Sequence, residues 1–135
     1  MKITADTNVL LRAALLDHPE QSPVAAAVLR NSEACVITLP ALCEFVWVLS
    51  RGYKRAPGEI AAAVRRLADS ATVQVDRAAL EAGLGVLAKG GDFADGIIAH
   101  EGRRLGGSVF VSFDRKAVSL IKAGRGDALL LSRDH

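Results

Sequence analysis

Lys2-Ile3-Thr4-Ala5-Asp6-Thr7-Asn8-Val9-Leu10-Leu11 changes period within ten residues, and that change decides the fold class. Residues 2–5 read as a short strand. Asp6, Thr7 and Asn8 are all good helix caps, and the apolar run Val9-Leu10-Leu11-Arg12-Ala13-Ala14-Leu15-Leu16 after them reads as a helix. Outward from this unit the alternation continues. Pro19 starts a helix with apolar spacing at Val24, Ala27 and Val28, and residues 34–38 fit a buried strand. Pro40 opens a further helix, residues 52–58 a turn, and residues 59–68 a helix with Ile60, Val64 and Leu67 on one side. Residues 72–75 are a third strand. Asp76 and Asp92 cap helices that run to Leu87 and Leu105, each followed by paired glycines or a glycine-rich stop. Residues 109–112 are a fourth strand, 115–122 a helix and 128–131 a fifth strand.

The strands read as continuous apolar runs, the pattern of a mostly parallel sheet covered on both faces. The expectation is a three-layer α/β fold with a central sheet of four to five strands and helices on both sides. At 135 residues the length prior gives one domain, residues 1–135, able to fold without disulfide or metal staples. No run reaches the roughly 18 apolar residues of a membrane span, and the first acid comes too early for a signal-peptide core, so a cytosolic location is expected. Cys35 and Cys43 lack zinc or redox spacing and read as buried free thiols.

Four acids, Asp6, Glu44, Asp95 and Asp114, stand in apolar stretches of sequence. Asp6 and Asp114 each follow a strand, on the edge where open α/β sheets place their sites. Glu44 is the only charged residue between Ala34 and Ser50, inside Leu39-Pro40-Ala41-Leu42-Cys43-Glu44-Phe45-Val46-Trp47. Read as a buried carboxylate, it requires a partner or a metal. Hard divalent cations take oxygen ligands and keep several waters, so one to three carboxylates per ion is a sensible complement. Such a cluster suits phosphodiester hydrolysis. His18, His100 and His135 show no zinc spacing, and the chain has no Gly-x-Ser-x-Gly elbow, Cys-His motif or phosphate-cradling glycine loop.

Simple capping competes with this reading. Asp114 is a good N-cap, and Asp92 with Asp95 three residues on can form a capping pair. A net charge of +2 does not identify a nucleic-acid binder, but 12 of the 17 basic residues are arginine, whose fork suits phosphate oxygens. Solvated helix faces with intrahelical ion pairs are the plainer explanation of each basic cluster.

The ordered set Ala5-Asp6-Thr7-Asn8-Val9-Leu10, Leu39-Pro40-Ala41-Leu42-Cys43-Glu44-Phe45, Asp92-Phe93-Ala94-Asp95-Gly96-Ile97-Ile98-Ala99 and Val111-Ser112-Phe113-Asp114-Arg115 resembles the PIN-domain family, and within it the VapC toxins of toxin–antitoxin pairs. The resemblance implies an endoribonuclease dependent on one or two Mg²⁺ or Mn²⁺ ions. Asp6, Glu44, Asp95 and Asp114 match the catalytic acids, with Asp92 as an outer ligand. Thr7, Asn8 and Ser112 match the polar residues that hold the acids and their waters. Where the family often carries a further acid, this chain has Lys116.

The resemblance further implies a homodimer, a VapB-like antitoxin covering the site, structured RNA such as tRNA as substrate, and DNA contact only indirectly through the antitoxin. Four aromatics, Phe45, Trp47, Tyr53 and Phe93, lie in the stretches expected near the site or interface. They are too few for an extended stacking platform, so Arg51, Lys54, Arg55 and Lys116 are the expected phosphate contacts. A haloacid-dehalogenase-like phosphatase needs a second aspartate where this chain has Asn8, and a receiver domain needs paired early acids. A catalytically silent partner-binding module is the alternative from a different class.

Overall fold

The computed structural model describes residues 1–132, so His135 lies outside the described residues. The chain divides into two compact units, residues 1–77 and residues from 78 onward.

The first unit runs β1 (Lys2–Thr4), α1 (Thr7–Leu15), α2 (Gln21–Asn31), β2 (Ala34–Val36), α3 (Leu39–Trp47), a π-helical turn (Val48–Gly52), α4 (Pro57–Ala68) and β3 (Val73–Gln74). Its strands pair in parallel in the order β1-β2-β3, with Ile3 opposite Cys35 and Cys35 opposite Val73. The strands are short because cap residues follow closely. Thr38, for one, accepts the Ala41 N–H and turns the chain into α3. Leu10, Cys35, Leu42, Phe45, Leu49, Ile60 and Val64 are almost wholly removed from water and make the core. Truncating Phe45 to alanine there would cost about 3–5 kcal/mol.

The second unit holds α5 (Arg77–Ala88, which begins at the unit boundary), α6 (Phe93–Arg104), β4 (Val109–Ser112), α7 (Arg115–Ala123) and β5 (Asp127–Leu130). β4 and β5 pair in parallel, Val109 opposite Asp127 through Ser112 opposite Leu130. Phe110 and Ala128 turn toward Val86, Ala99, Leu120 and Ile121. Glycine lets α5 and α6 approach closely. A Cβ on Gly83 would lie 2.7 Å from the Phe93 ring, and one on Gly96 would run into the Ala82 carbonyl. Gly96 therefore seats the helix that carries Asp95.

All five expected strands form, within a residue or two of their expected ends, and every strand pair is parallel. They make a three-stranded and a two-stranded sheet. In β4 and β5 the side chains of Val109, Val111 and Leu129 are half exposed. Two local features were not expected. The chain after α3 winds into a π-helical turn, and α4 starts at Pro57, where Glu59 reaches back to the Ala56 N–H at 3.2 Å. Among the described residues no helix is long and apolar enough to cross a membrane.

Candidate functional site

The predicted acids fall into two groups, one in each unit. In the first, Asp6 occupies the N-cap of α1 and its Oδ1 accepts the Val9 N–H at 3.0 Å. Parallel strand pairing is continued by the Ala5 N–H, which reaches the Val36 carbonyl, so backbone bonds hold the residue just before Asp6. Thr7, the next residue, donates its hydroxyl to Glu44 Oε2 at 3.3 Å. The start of α1 and the middle of α3 thus bring Asp6, Thr7 and Glu44 into one neighbourhood.

Glu44 is exposed, which corrects the expectation of a buried carboxylate. Its apolar neighbours in sequence belong to the opposite side of α3. Ala41, Leu42, Phe45 and Val46 face the core, while Glu44 and Trp47, three residues apart, share the open side. Cost of burial therefore gives no reason for its partner. The hydrogen bond to Thr7 does place it.

In the second unit Asp92 caps α6, its Oδ1 accepting the Ala94 N–H at 3.0 Å. Asp114 caps α7, its Oδ1 accepting the Ala117 N–H at 3.1 Å, and its own N–H is held by Ser112 Oγ at 2.9 Å. Asp95 sits in the first turn of α6 and is half-buried. Burial, with the charges of Asp92 and Asp114 adding to it, pushes the Asp95 carboxyl above its ordinary pKa. A capping pair between Asp92 and Asp95 is not formed: Asp95 gives its backbone N–H to the Asp92 carbonyl instead.

The other expected residues are less bound to the acids. Asn8 is exposed and shares with Asp6 the wall of an open hollow of about 500 Å³. Arg51 and Lys54 are exposed and in no ion pair among the described residues, whereas Arg55 pairs with Glu59 at 3.5 Å. Lys116 is exposed, with its amine close over Gly90. The aromatics separate sharply. Phe45 and Phe93 are core residues, 0% and 1% exposed, while Trp47 is 61% and Tyr53 38% exposed. Phe113, beside Asp114 and 70% exposed, carries no role in the sequence reading. Helical spacing from Glu44 was the available signal for Trp47. Cys35 is buried, which raises its thiol pKa, and Cys43 is half-buried. His18 Nδ1 accepts the Gln21 N–H at 2.9 Å, so it serves the start of α2.

Among the described residues Asp6, Glu44, Asp92, Asp95 and Asp114 are in no ion pair. By contrast Asp17, Glu33, Glu59, Asp69 and Glu101 each have a cationic partner. Each capping aspartate uses one oxygen and keeps the other free among the described residues. An all-oxygen donor set with uncompensated negative charge fits a hard divalent cation better than zinc. A family model described as PIN domain matches residues 3–123. No curated protein matches the chain significantly.

Proposed function

The chain belongs to the PIN domain family, whose members are commonly nucleases, and from this premise we propose that it is a divalent-metal-dependent endoribonuclease. The observation that carries the reading is that the acids aligning with the family's motifs all stand without basic partners among the described residues, as Glu20 and Asp127 also do, while Asp17, Glu33, Glu59, Asp69 and Glu101 are paired. Asp6, Asp95 and Asp114 are the proposed metal-holding residues. Glu44 serves directly or through a water, with Asp92 as an outer ligand. One or two Mg²⁺ or Mn²⁺ ions held by them would offset developing phosphate charge and activate water.

The chain's own residues do the positioning. The cap bonds of Asp6 and Asp114 fix one carboxylate oxygen of each and leave the second for the site. Thr7 orients Glu44, and Ser112 holds the backbone of Asp114. Asn8 is proposed to hold a water. Arg51, Lys54, Arg55 and Lys116 are the proposed phosphate contacts, with folded RNA such as tRNA as substrate.

On this reading the chain is a VapC-like toxin that works as a homodimer and is silenced by a VapB-like antitoxin, through which any DNA contact is made. An antitoxin arginine set among the unpaired carboxylates would replace the cation they need. Incubating the purified, antitoxin-free chain with defined RNAs, in Mn²⁺ and in EDTA, tests the proposal. Internal cleavage in Mn²⁺ alone is expected. Persistent inactivity across folded RNAs in Mn²⁺ would favour a partner-binding module instead.

A further inference from the structure

Trp47 is the chain's single tryptophan and it is 61% exposed, in a molecule whose core excludes water from Phe45 two residues earlier. An exposed lone leucine would need no explanation, but a large exposed aromatic beside a candidate catalytic acid does. Trp47 ends α3 one turn after Glu44, so helical geometry sets their Cβ atoms about 5–6 Å apart on one side of the helix. The Glu44 carboxylate is itself fixed by Thr7.

Beyond Trp47 the backbone is unusual and carries positive charge. Val48–Gly52 is a π-helical turn, closed by Tyr53 N–H to the Val48 carbonyl at 3.1 Å, a rare geometry often found at functional sites. Lys54 then takes the left-handed conformation, φ 52°, and Arg55 N–H returns to the Leu49 carbonyl. This closure presents Arg51 and Lys54 to solvent, neither in an ion pair among the described residues. The indole N–H likewise has no hydrogen-bond partner among them.

Taking the nuclease reading as its basis, we propose that Trp47 is a base-stacking residue: an unpaired nucleotide next to the cleaved phosphate lies on its indole, while Arg51 and Lys54 hold adjoining phosphates. The surroundings favour a nucleic acid over a second copy of the chain. An interface core depletes Lys, Glu and Ser, and Glu44, Ser50 and Lys54 are exposed in this stretch beside Arg51, Gly52 and Tyr53. An indole face among uncompensated cations is the chemistry of single-strand recognition, where every base offers a π-face. Trp47 would act by positioning and not by proton transfer, selecting loops of a folded RNA over its helices.

The lone tryptophan makes its own emission the reporter. The full chain in EDTA, where RNA stays uncut, is titrated with a short single-stranded RNA and with the same strand in duplex, while labelled RNA reports binding by anisotropy. Saturable quenching by the single strand, with little by the duplex, is expected. Trp47→Ala should weaken single-strand binding about 5- to 150-fold by loss of one stacked base, raise KM more than it lowers kcat in Mn²⁺, and be partly rescued in Trp47→Phe but not in Trp47→Leu. Binding by anisotropy without quenching would overturn the role of Trp47 and leave the nuclease reading intact. Emission shifted to the blue with rising protein concentration and indifferent to RNA would overturn it in favour of a second copy. Absence of both RNA binding and Mn²⁺-dependent cleavage would remove the nuclease reading and this inference with it.

Discussion

On the proposed reading Asp6, Asp92 and Asp114 would each join two physical roles in one side chain, because an N-cap uses a single carboxylate oxygen and a cation can take the other. The roles separate by substitution. Asn caps as well as Asp, so Asp6→Asn should shift the urea-unfolding free energy by no more than about 0.5 kcal/mol while abolishing Mn²⁺-dependent cleavage. Asp6→Ala should abolish cleavage and also lose about 1 kcal/mol. Retained cleavage in Asp6→Asn would reduce this residue to a cap. At Asp95 the sign of the pH effect comes from its raised pKa. The folded state binds this proton more tightly than the unfolded state, so the metal-free protein loses stability as pH rises from the ordinary aspartate pKa through the raised one. Melts in EDTA should show that fall, Asp95→Asn should lessen it, and Mn²⁺ should offset it at the upper end. These candidate acids were singled out in the sequence through strand ends and motif order. Glu44 was singled out for a reason that fails, since a run of apolar letters around one acid is also how an amphipathic helix with an exposed aromatic reads.

At the scale of elements, helix positions were legible because caps and stops are local chemistry: Asp92 and Asp114 cap the helices they were read as able to cap, and Thr38, read as the end of a strand, caps the helix expected to open at Pro40. The π-helical turn was not, because its extra residue answers to the closure at Lys54 and leaves no period of its own in five residues. Nor could strand spacing reveal that β4 and β5 keep one face half exposed, since their outward residues Val109, Val111 and Leu129 are as apolar as inward ones. Two substitutions probe these elements. Gly96→Ala would press a methyl group on the Ala82 carbonyl and should cost about 1–3 kcal/mol, with cleavage falling because α6 carries Asp95. A neutral effect in chemical denaturation would show that α5 and α6 can part freely. Lys54→Gly removes a left-handed strain of about 1 kcal/mol, partly offset by the freer unfolded chain. Its unfolding midpoint should hold or rise while affinity for RNA falls.

For the whole molecule, the central claim of the proposed function is chemical: Asp6, Glu44, Asp95 and Asp114 are each proposed to be needed for cation-dependent cleavage. Both groups share one electrostatic character, carboxylates without basic partners among the described residues, those of Asp6, Glu44 and Asp114 also held by hydrogen bonds. A bound cation stabilises the folded chain by mass action, so saturating Mn²⁺ should raise the melting temperature of the wild type above its value in EDTA. The most direct measurement is Mn²⁺ binding, read from the electron paramagnetic resonance of the free ion, for wild type, Asp6→Asn and Asp95→Asn. Loss of tight Mn²⁺ binding in both variants is expected, although they differ in unit and in burial. Binding as tight as wild type in either variant, with its fold intact, would contradict the proposed metal-holding role of that carboxylate.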